Sequence, residues 1–191
     1  MKNKTIGFCI TGSFCTLSSI LPVIEKLSAD NKIVPIISYS VASFDTRFYK
    51  AHDFRCDLIQ ASKNNKIIDT IIEAEKLGPC NNLDIIIIAP ATGNTLAKLT
   101  YGITDTPVLM ATKATLRNNK PVLISPTTND ALSCAAKNLG LLLNAKNIYT
   151  VPLSQDNPTG KPFSAVANLK LLIKAANFAI KGKQLQPIYE K

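Results

Sequence analysis

Unbroken apolar runs alternate along the chain with segments whose apolar positions recur every three or four residues. The sharpest run is Ile85-Ile86-Ile87-Ile88, inside DIIIIAPATGNTLAKLTYG from Asp84 to Gly102. An unbroken β-branched run suits a strand covered on both faces, as in a parallel sheet. Ala89-Pro90 is expected to end the strand, because proline lacks the N–H that a ladder needs. Ala91 to Thr95 follows as a small, polar turn. Leu96, Ala97, Leu99 and Tyr101 then take helical spacing, with Gly102 as the C-terminal stop.

The same grammar recurs on both sides of this stretch. Thr5 to Thr11 reads as a first strand, Gly12-Ser13-Phe14 as a tight turn, and Leu17, Ile20, Leu21, Ile24 and Leu27 as one face of a helix. Ile33 to Ile37 is a second strand ending in Ser38-Tyr39-Ser40. FDTRFYKAHDFR (Phe44 to Arg55) reads as an irregular, polar binding loop. Ile67, Ile68, Ile71, Ile72 and Ala74 to Leu77 predict an amphipathic helix closed by Gly78-Pro79. Asp105 or Thr106 caps a further helix with Pro107 at its first position, running toward Arg117. Pro121 to Ser125 is a strand that ends in a second polar turn, Pro126 to Asp130, before a helix over Ala131 to Leu143. Ile148 to Val151 is a short strand, Pro158 to Pro162 a turn, and Ser164 to Ile180 a helix.

Strands that alternate with helices predict an α/β fold: a single doubly wound, mostly parallel sheet with helices on both faces, Rossmann-like, in one domain over 1–191. In such a sheet the polar turns fall on one edge, the carboxyl ends of the strands, where open α/β sheets bind ligands. A turn that leads into a helix start favours an anion there. The Gly7…Gly12 spacing is not GxGxxG, and no Lys-Ser/Thr follows it. The first turn is therefore neither the dinucleotide fingerprint nor a P-loop.

Composition narrows the choices. With 191 residues, 46% hydrophobic and 18% charged, the chain can bury a full core. The net charge of +9 could serve nucleic acid, an acidic membrane, anionic small molecules or solubility alone. The basic residues are mostly scattered, no nucleic-acid motif is present and no nucleic-acid partner is expected. Five cysteines without a CxxC pair, beside the lone His52, argue against a zinc site and fit a reducing cytoplasm. The apolar N-terminal run is broken at Thr11-Gly12-Ser13, so it reads as strand and turn rather than as a signal peptide. No run approaches the roughly 18 apolar residues of a membrane span. Arg47 could clamp a carboxylate with its planar fork, or serve as an exposed loop residue. His52 could act as a base or lie on the surface.

Several strings resemble a known family. Gly12-Ser13 after the first strand, Ser38 after the second, APATGNTLAKLTYGI (Ala89 to Ile103) and PTTN (Pro126 to Asn129) resemble the flavoproteins that decarboxylate phosphopantothenoylcysteine and lantibiotic peptides. PATGNT is similar to their PASANT motif. A resemblance over nearly the whole chain is to the dipicolinate synthase B-subunit family. It is carried by DTRF (Asp45 to Phe48), LGP (Leu77 to Pro79), TDTPVLMATKATLRNNKPV (Thr104 to Val122), TNDAL (Thr128 to Leu132), KNI (Lys146 to Ile148), QDNP (Gln155 to Pro158) and QLQPI (Gln184 to Ile188).

The resemblance implies FMN on Gly12, Ser13, Phe14, Ser38, Pro90, Ala91, Thr92, Asn94 and Thr95. Arg47, Lys113, Arg117 and Asn129 are then candidates for substrate carboxylates or a phosphate. It further implies a dehydrogenase-like A subunit as partner, through which NAD(P) could enter, and a pyridine-dicarboxylate-type substrate. Oxidation to dipicolinic acid in the mother cell of a sporulating bacterium and a homo-oligomer are implied as well. Two departures stand out. The decarboxylases carry a catalytic histidine before the PASANT-type strand, and the stretch from Lys66 to Ile72 has none. Thr128 replaces the methionine of their PxMN motif. Decarboxylation is therefore not carried over, and no catalytic residue is assigned.

Overall fold

The structure is a computed structural model that describes residues 1–80 and 82–190. Five parallel strands form its centre: β1 (Thr5–Ile10), β2 (Lys32–Ile37), β3 (Ile85–Ala91), β4 (Val122–Thr128) and β5 (Ile148–Thr150). Their order is β2-β1-β3-β4-β5, one of the two common doubly wound orders, in which the chain reverses its direction of winding between β1 and β3. Every residue of β3 is buried, so both faces of the central strand are covered, as its unbroken isoleucine run requires. Gly7 allows β1 to lie close to its neighbours: a Cβ there would stand 2.9 Å from the Ile86 and Leu83 side chains.

The helices are α1 (Leu17–Ser28), α2 (Tyr39–Ser43), α3 (Ala51–Ser62), α4 (Ile71–Glu75), α5 (Leu77–Cys80), α6 (Gly93–Thr100), α7 (Pro107–Arg117), α8 (Ala136–Leu143) and α9 (Leu172–Ala179). Helix α7 has the expected bounds: Thr106 accepts from the Leu109 N–H at 3.2 Å and Pro107 opens the first turn. Gly102 sits at φ +68°, the left-handed conformation that ends α6 without a Cβ penalty.

Six local expectations are corrected, the last three in β4 and the segments that follow it. Strand β3 does not stop at Ala89-Pro90 but continues to Ala91. The ladder to β4 shifts register between Ile88 and Ala91, which accommodates the missing N–H, and pairing resumes at Ala91 with Pro126. Ile67 and Ile68 are not helical. The Ile68 N–H donates to Pro35 and its carbonyl accepts from Ile37, both at 2.9 Å, so this segment covers the open edge of β2. The helix starts only after Thr70, whose hydroxyl accepts from the Glu73 N–H at 3.2 Å. Likewise, the loop from Phe44 ends at Lys50, because Ala51 to Arg55 already belong to α3.

The last three corrections concern β4 and the C-terminal third. β4 runs through Pro126 to Thr128, because Thr127 and Thr128 pair antiparallel with Val166 and Ala165 of β7 (Ala165–Ala167). β7 also pairs with β6 (Leu153–Ser154). The predicted helix from Ser164 is therefore a strand up to Ala167, and α9 begins at Leu172. The helix predicted from Ala131 begins at Ala136, after turns over 130–135.

Tyr49 pins the segment before α3. Its ring meets Phe54 edge-on at 5.3 Å, and its hydroxyl donates to the Asp57 carboxylate. That bond raises its pKa from the ordinary 10.0 to about 12. The folded value lies above the unfolded one, so the bond's contribution to stability is complete below the unfolded value and is lost as pH rises through about 12. Ultraviolet titration should find one tyrosine ionising near 12, and Tyr49→Phe should remove that step alone.

Candidate functional site

The parallel strands deliver their carboxyl ends to one edge, and two of those ends are stitched together there. The buried Thr11 hydroxyl donates to the Pro90 carbonyl at 2.7 Å and accepts from the Thr92 N–H at 3.1 Å. This fixes the turn after β1 against the turn after β3 at the point where the strand order reverses, the usual place for a ligand crevice.

Two clefts open on this edge, and both are lined by Gly12, Phe14 and Thr92. The first, about 340 Å³, has hydroxyl groups from Thr11, Ser38, Ser40, Thr92, Thr95 and Thr106. Ser38 and Ser40 share a hydrogen bond at 3.0 Å, and Thr92 and Thr95 share one at 2.9 Å. Thr92 caps α6 by accepting from the Thr95 N–H. The N–H groups of Gly93 and Asn94 have no partner among the described residues, which leaves two donors at the positive end of the helix. Lys98 adds the one cation among the described residues of this lining and is paired with Asp105 at 2.5 Å. Phe14, Tyr39, Phe44 and Leu109 supply apolar walls.

The second cleft, about 480 Å³, lies on the other side of Gly12 and Phe14. Ser13, Thr16, Thr127, Thr128 and Asn129 make it polar, Phe48 and Val166 line it, and Asp156 and Lys161 reach it from the loop between β6 and β7. Thr128 donates to the Asp130 carboxylate.

Most of the residues singled out from the sequence converge here. Gly12, Phe14, Ser38, Thr92, Asn94 and Thr95 line the first cleft, and Ser13 and Asn129 the second. Pro90 and Ala91 do not line either; they are buried in β3, where the Pro90 carbonyl anchors Thr11. Arg47 is exposed, with its guanidinium carbon 4.8 Å from the centroid of the Phe48 ring, at the rim of the second cleft. Lys113 and Arg117 line an adjoining groove with Leu99, Ile103 and Leu116, which shares Leu109 with the first cleft. Helix α7 begins at the first cleft with Thr106 and Leu109, and its rise of about 1.5 Å per residue sets Lys113 about 6 Å and Arg117 about 12 Å beyond Leu109. His52 lies on α3 with its side chain 87% exposed, outside both clefts.

Sequence reasoning did not single out Lys98 in the first cleft or Asp156 and Lys161 in the second, whereas Tyr39 lay in the polar turn Ser38-Tyr39-Ser40 and Phe44 and Phe48 in the segment read as a binding loop. Ser40 and Thr106 did carry a signal, one as a strand-end serine and the other as a helix cap. Among the described residues no cluster of three or more histidine, cysteine or acidic side chains could hold a metal, and no helix is long and apolar enough to cross a membrane.

The arrangement fits a group with a phosphate at one end and a planar ring system at the other. The hydroxyls and free N–H groups of the first cleft suit a phosphate. A Cβ on Gly12 would stand 2.9 Å from Ser40 Oγ, so the glycine keeps open the space beside those donors. The aromatic walls that flank Gly12 suit the ring.

This chain belongs to the Flavoprotein family, whose model matches residues 1–163. Within that family it is similar to the B subunit of dipicolinate synthase from Bacillus subtilis, with 43% identity over 189 residues, 98% of this chain and 94% of that relative. The crystal structure of the dipicolinate synthase B subunit from Bacillus halodurans C superposes with a TM-score of 0.91 at 40% identity, covering 100% of this chain and 97% of that one. TvaF, an FMN-dependent cysteine decarboxylase from thioviridamide biosynthesis, shares the fold at a TM-score of 0.63 and 18% identity, covering 93% of this chain and 98% of its own.

Proposed function

We propose that this chain is the FMN-binding B subunit of a dipicolinate synthase. With a dehydrogenase-like A subunit it oxidises a dihydrodipicolinate, or its hydroxytetrahydro precursor, to dipicolinic acid. One observation carries the reading: two clefts that meet at Gly12, Phe14 and Thr92, one rich in phosphate-type donors and the other polar, aromatic and cationic. The similarity to the B subunits of two Bacillus species supports the substrate class.

In this reading Ser38, Ser40, Thr92, Thr95 and the free N–H groups of Gly93 and Asn94 hold the phosphate. Phe14 and Leu109 shield the ring from water, and the second cleft presents the substrate. The chemistry a flavin supplies there is acceptance of a hydride from the substrate ring, which with loss of a proton completes a two-electron oxidation.

The experiment is a titration of the full chain with FMN and with riboflavin, followed by quenching of flavin fluorescence. FMN is expected to bind more tightly than riboflavin, and Ser38→Ala should lower the FMN affinity by about 10- to 100-fold, the weight of a hydrogen bond to a charged group. Ser38→Ala should leave riboflavin nearly unchanged. Equal affinity for the two flavins would remove the phosphate role from the first cleft. Absence of flavin binding, even with the A subunit, would favour a second reading, in which this chain is a docking module for that subunit. The observation behind that alternative is that neither cleft contains a histidine.

A further inference from the structure

The loop between β6 and β7 places Lys161 in the second cleft, the one cation among the described residues that line it. The loop is braced from within. The Lys161 N–H donates to the Asn157 carbonyl at 2.7 Å, Gln155 Nε2 donates to the Pro162 carbonyl at 2.9 Å, and the Ser164 N–H donates to the Lys161 carbonyl at 3.0 Å. Its C-terminal end is tied to the sheet through β7, whose Val166 pairs with Thr127, so the loop is held over the cleft.

Within the loop, Lys161 Nζ lies 3.6 Å from the Asp156 carboxylate. The nearby buried Ser164 hydroxyl first, with Lys161 contributing less, holds the Asp156 carboxyl below its ordinary range. Asp156 therefore stays ionised and keeps the lysine on the cleft side. An ammonium has three donors, and the 3.6 Å ion pair with Asp156 leaves them free for a ligand. Asn129 and Thr16 line the same cleft, and Asp156 is the one carboxylate among the described residues that line it. A cation, amide and hydroxyl donors and the Phe48 ring together match a flat ring that carries carboxylates.

We infer that Lys161 is the residue that selects a planar dicarboxylate in the second cleft, receiving one carboxylate on its ammonium, while Asp156 is the positioning residue that holds Lys161 there. This deepens the reading of the clefts given above and rests on it for the identity of the substrate.

The test uses the full chain, with and without FMN, and pyridine-2,6-dicarboxylate as the calorimetric probe, with pyridine-2-carboxylate as the single-carboxylate comparison. Lys161→Ala should weaken the diacid by about 10- to 100-fold and leave FMN affinity unchanged. Lys161→Arg should restore most of the loss. Asp156→Asn should weaken the diacid by less than Lys161→Ala does. The Lys161 side chain is half exposed, so its replacement should leave the fold intact, as circular dichroism will check. Diacid binding unaltered in Lys161→Ala would overturn the inference and leave the flavin reading standing. Wild-type chain that binds neither acid would overturn it as well. Failure of FMN alone, with Lys161-dependent diacid binding retained, would overturn the flavin reading and support the inference.

Discussion

Replacing Thr11 by Val should destabilise the chain by about 2–4 kcal/mol and loosen the first cleft at the same time. Valine matches the shape of threonine but carries no hydroxyl. Thr11 is 2% exposed, so water cannot take over its two bonds. The Pro90 carbonyl would lose a donor at 2.7 Å and the Thr92 N–H an acceptor at 3.1 Å. Each polar group left unpaired inside a protein costs about 1–3 kcal/mol. The loss falls on the link between β1 and β3, so the Thr92 turn moves with it and flavin affinity should fall along with stability. Thr11→Ser keeps the hydroxyl and should recover most of both. Urea denaturation and flavin titration of the three proteins check this. A Val variant as stable as the parent would mean that the stitch contributes nothing.

Much of this edge was legible in the sequence for a topological reason. Unbroken runs at Ile6, Ile33, Ile85 and Val122 identify strands buried on both faces, and parallel strands put their following turns on one edge. Gly12, Ser38, Thr92 and Asn129 therefore had to share a region, and they do. What escaped was decided by pairing. Nothing local says that β3 passes through Pro90, because that depends on a register shift against β4. Val166 and Leu169 keep helical spacing but lie on a strand and on a single 3₁₀ turn, because the free edge at the end of β4 captures residues 165–166. That same capture brings Asp156 and Lys161 into the second cleft; Pro158 to Pro162 was legible as a turn, but not that it would be carried to this edge. Lys113 and Arg117 line a different groove from the two clefts. They are near the site in sequence, but their helix leads away from it.

Gly12→Val should lower FMN affinity by at least about 100-fold while leaving the fold nearly as stable as before. Gly12 has no left-handed backbone angle to protect, so the effect comes from space. A single Cβ there would lie 2.9 Å from Ser40 Oγ and 3.6 Å from two atoms of the Phe14 ring. Alanine can be accommodated by rotating the Ser40 hydroxyl, at the expense of its 3.0 Å bond to Ser38. Valine adds two methyl groups to that contact and must fill the passage between the clefts, since Gly12 lines both. Two or more hydrogen bonds to a phosphate would be lost together, each about tenfold or more in affinity. The site lies at an open cleft rather than in the packed interior, so overpacking strain can relax toward solvent, and its cost should stay at the low end of about 1–3 kcal/mol. The order of affinities should be Gly12, then Ala, then Val, with unfolding midpoints varying far less than affinity. A Val variant that binds FMN as the parent does would show that the ligand does not cross the ridge between the two clefts, and the two would then have to be read as separate sites.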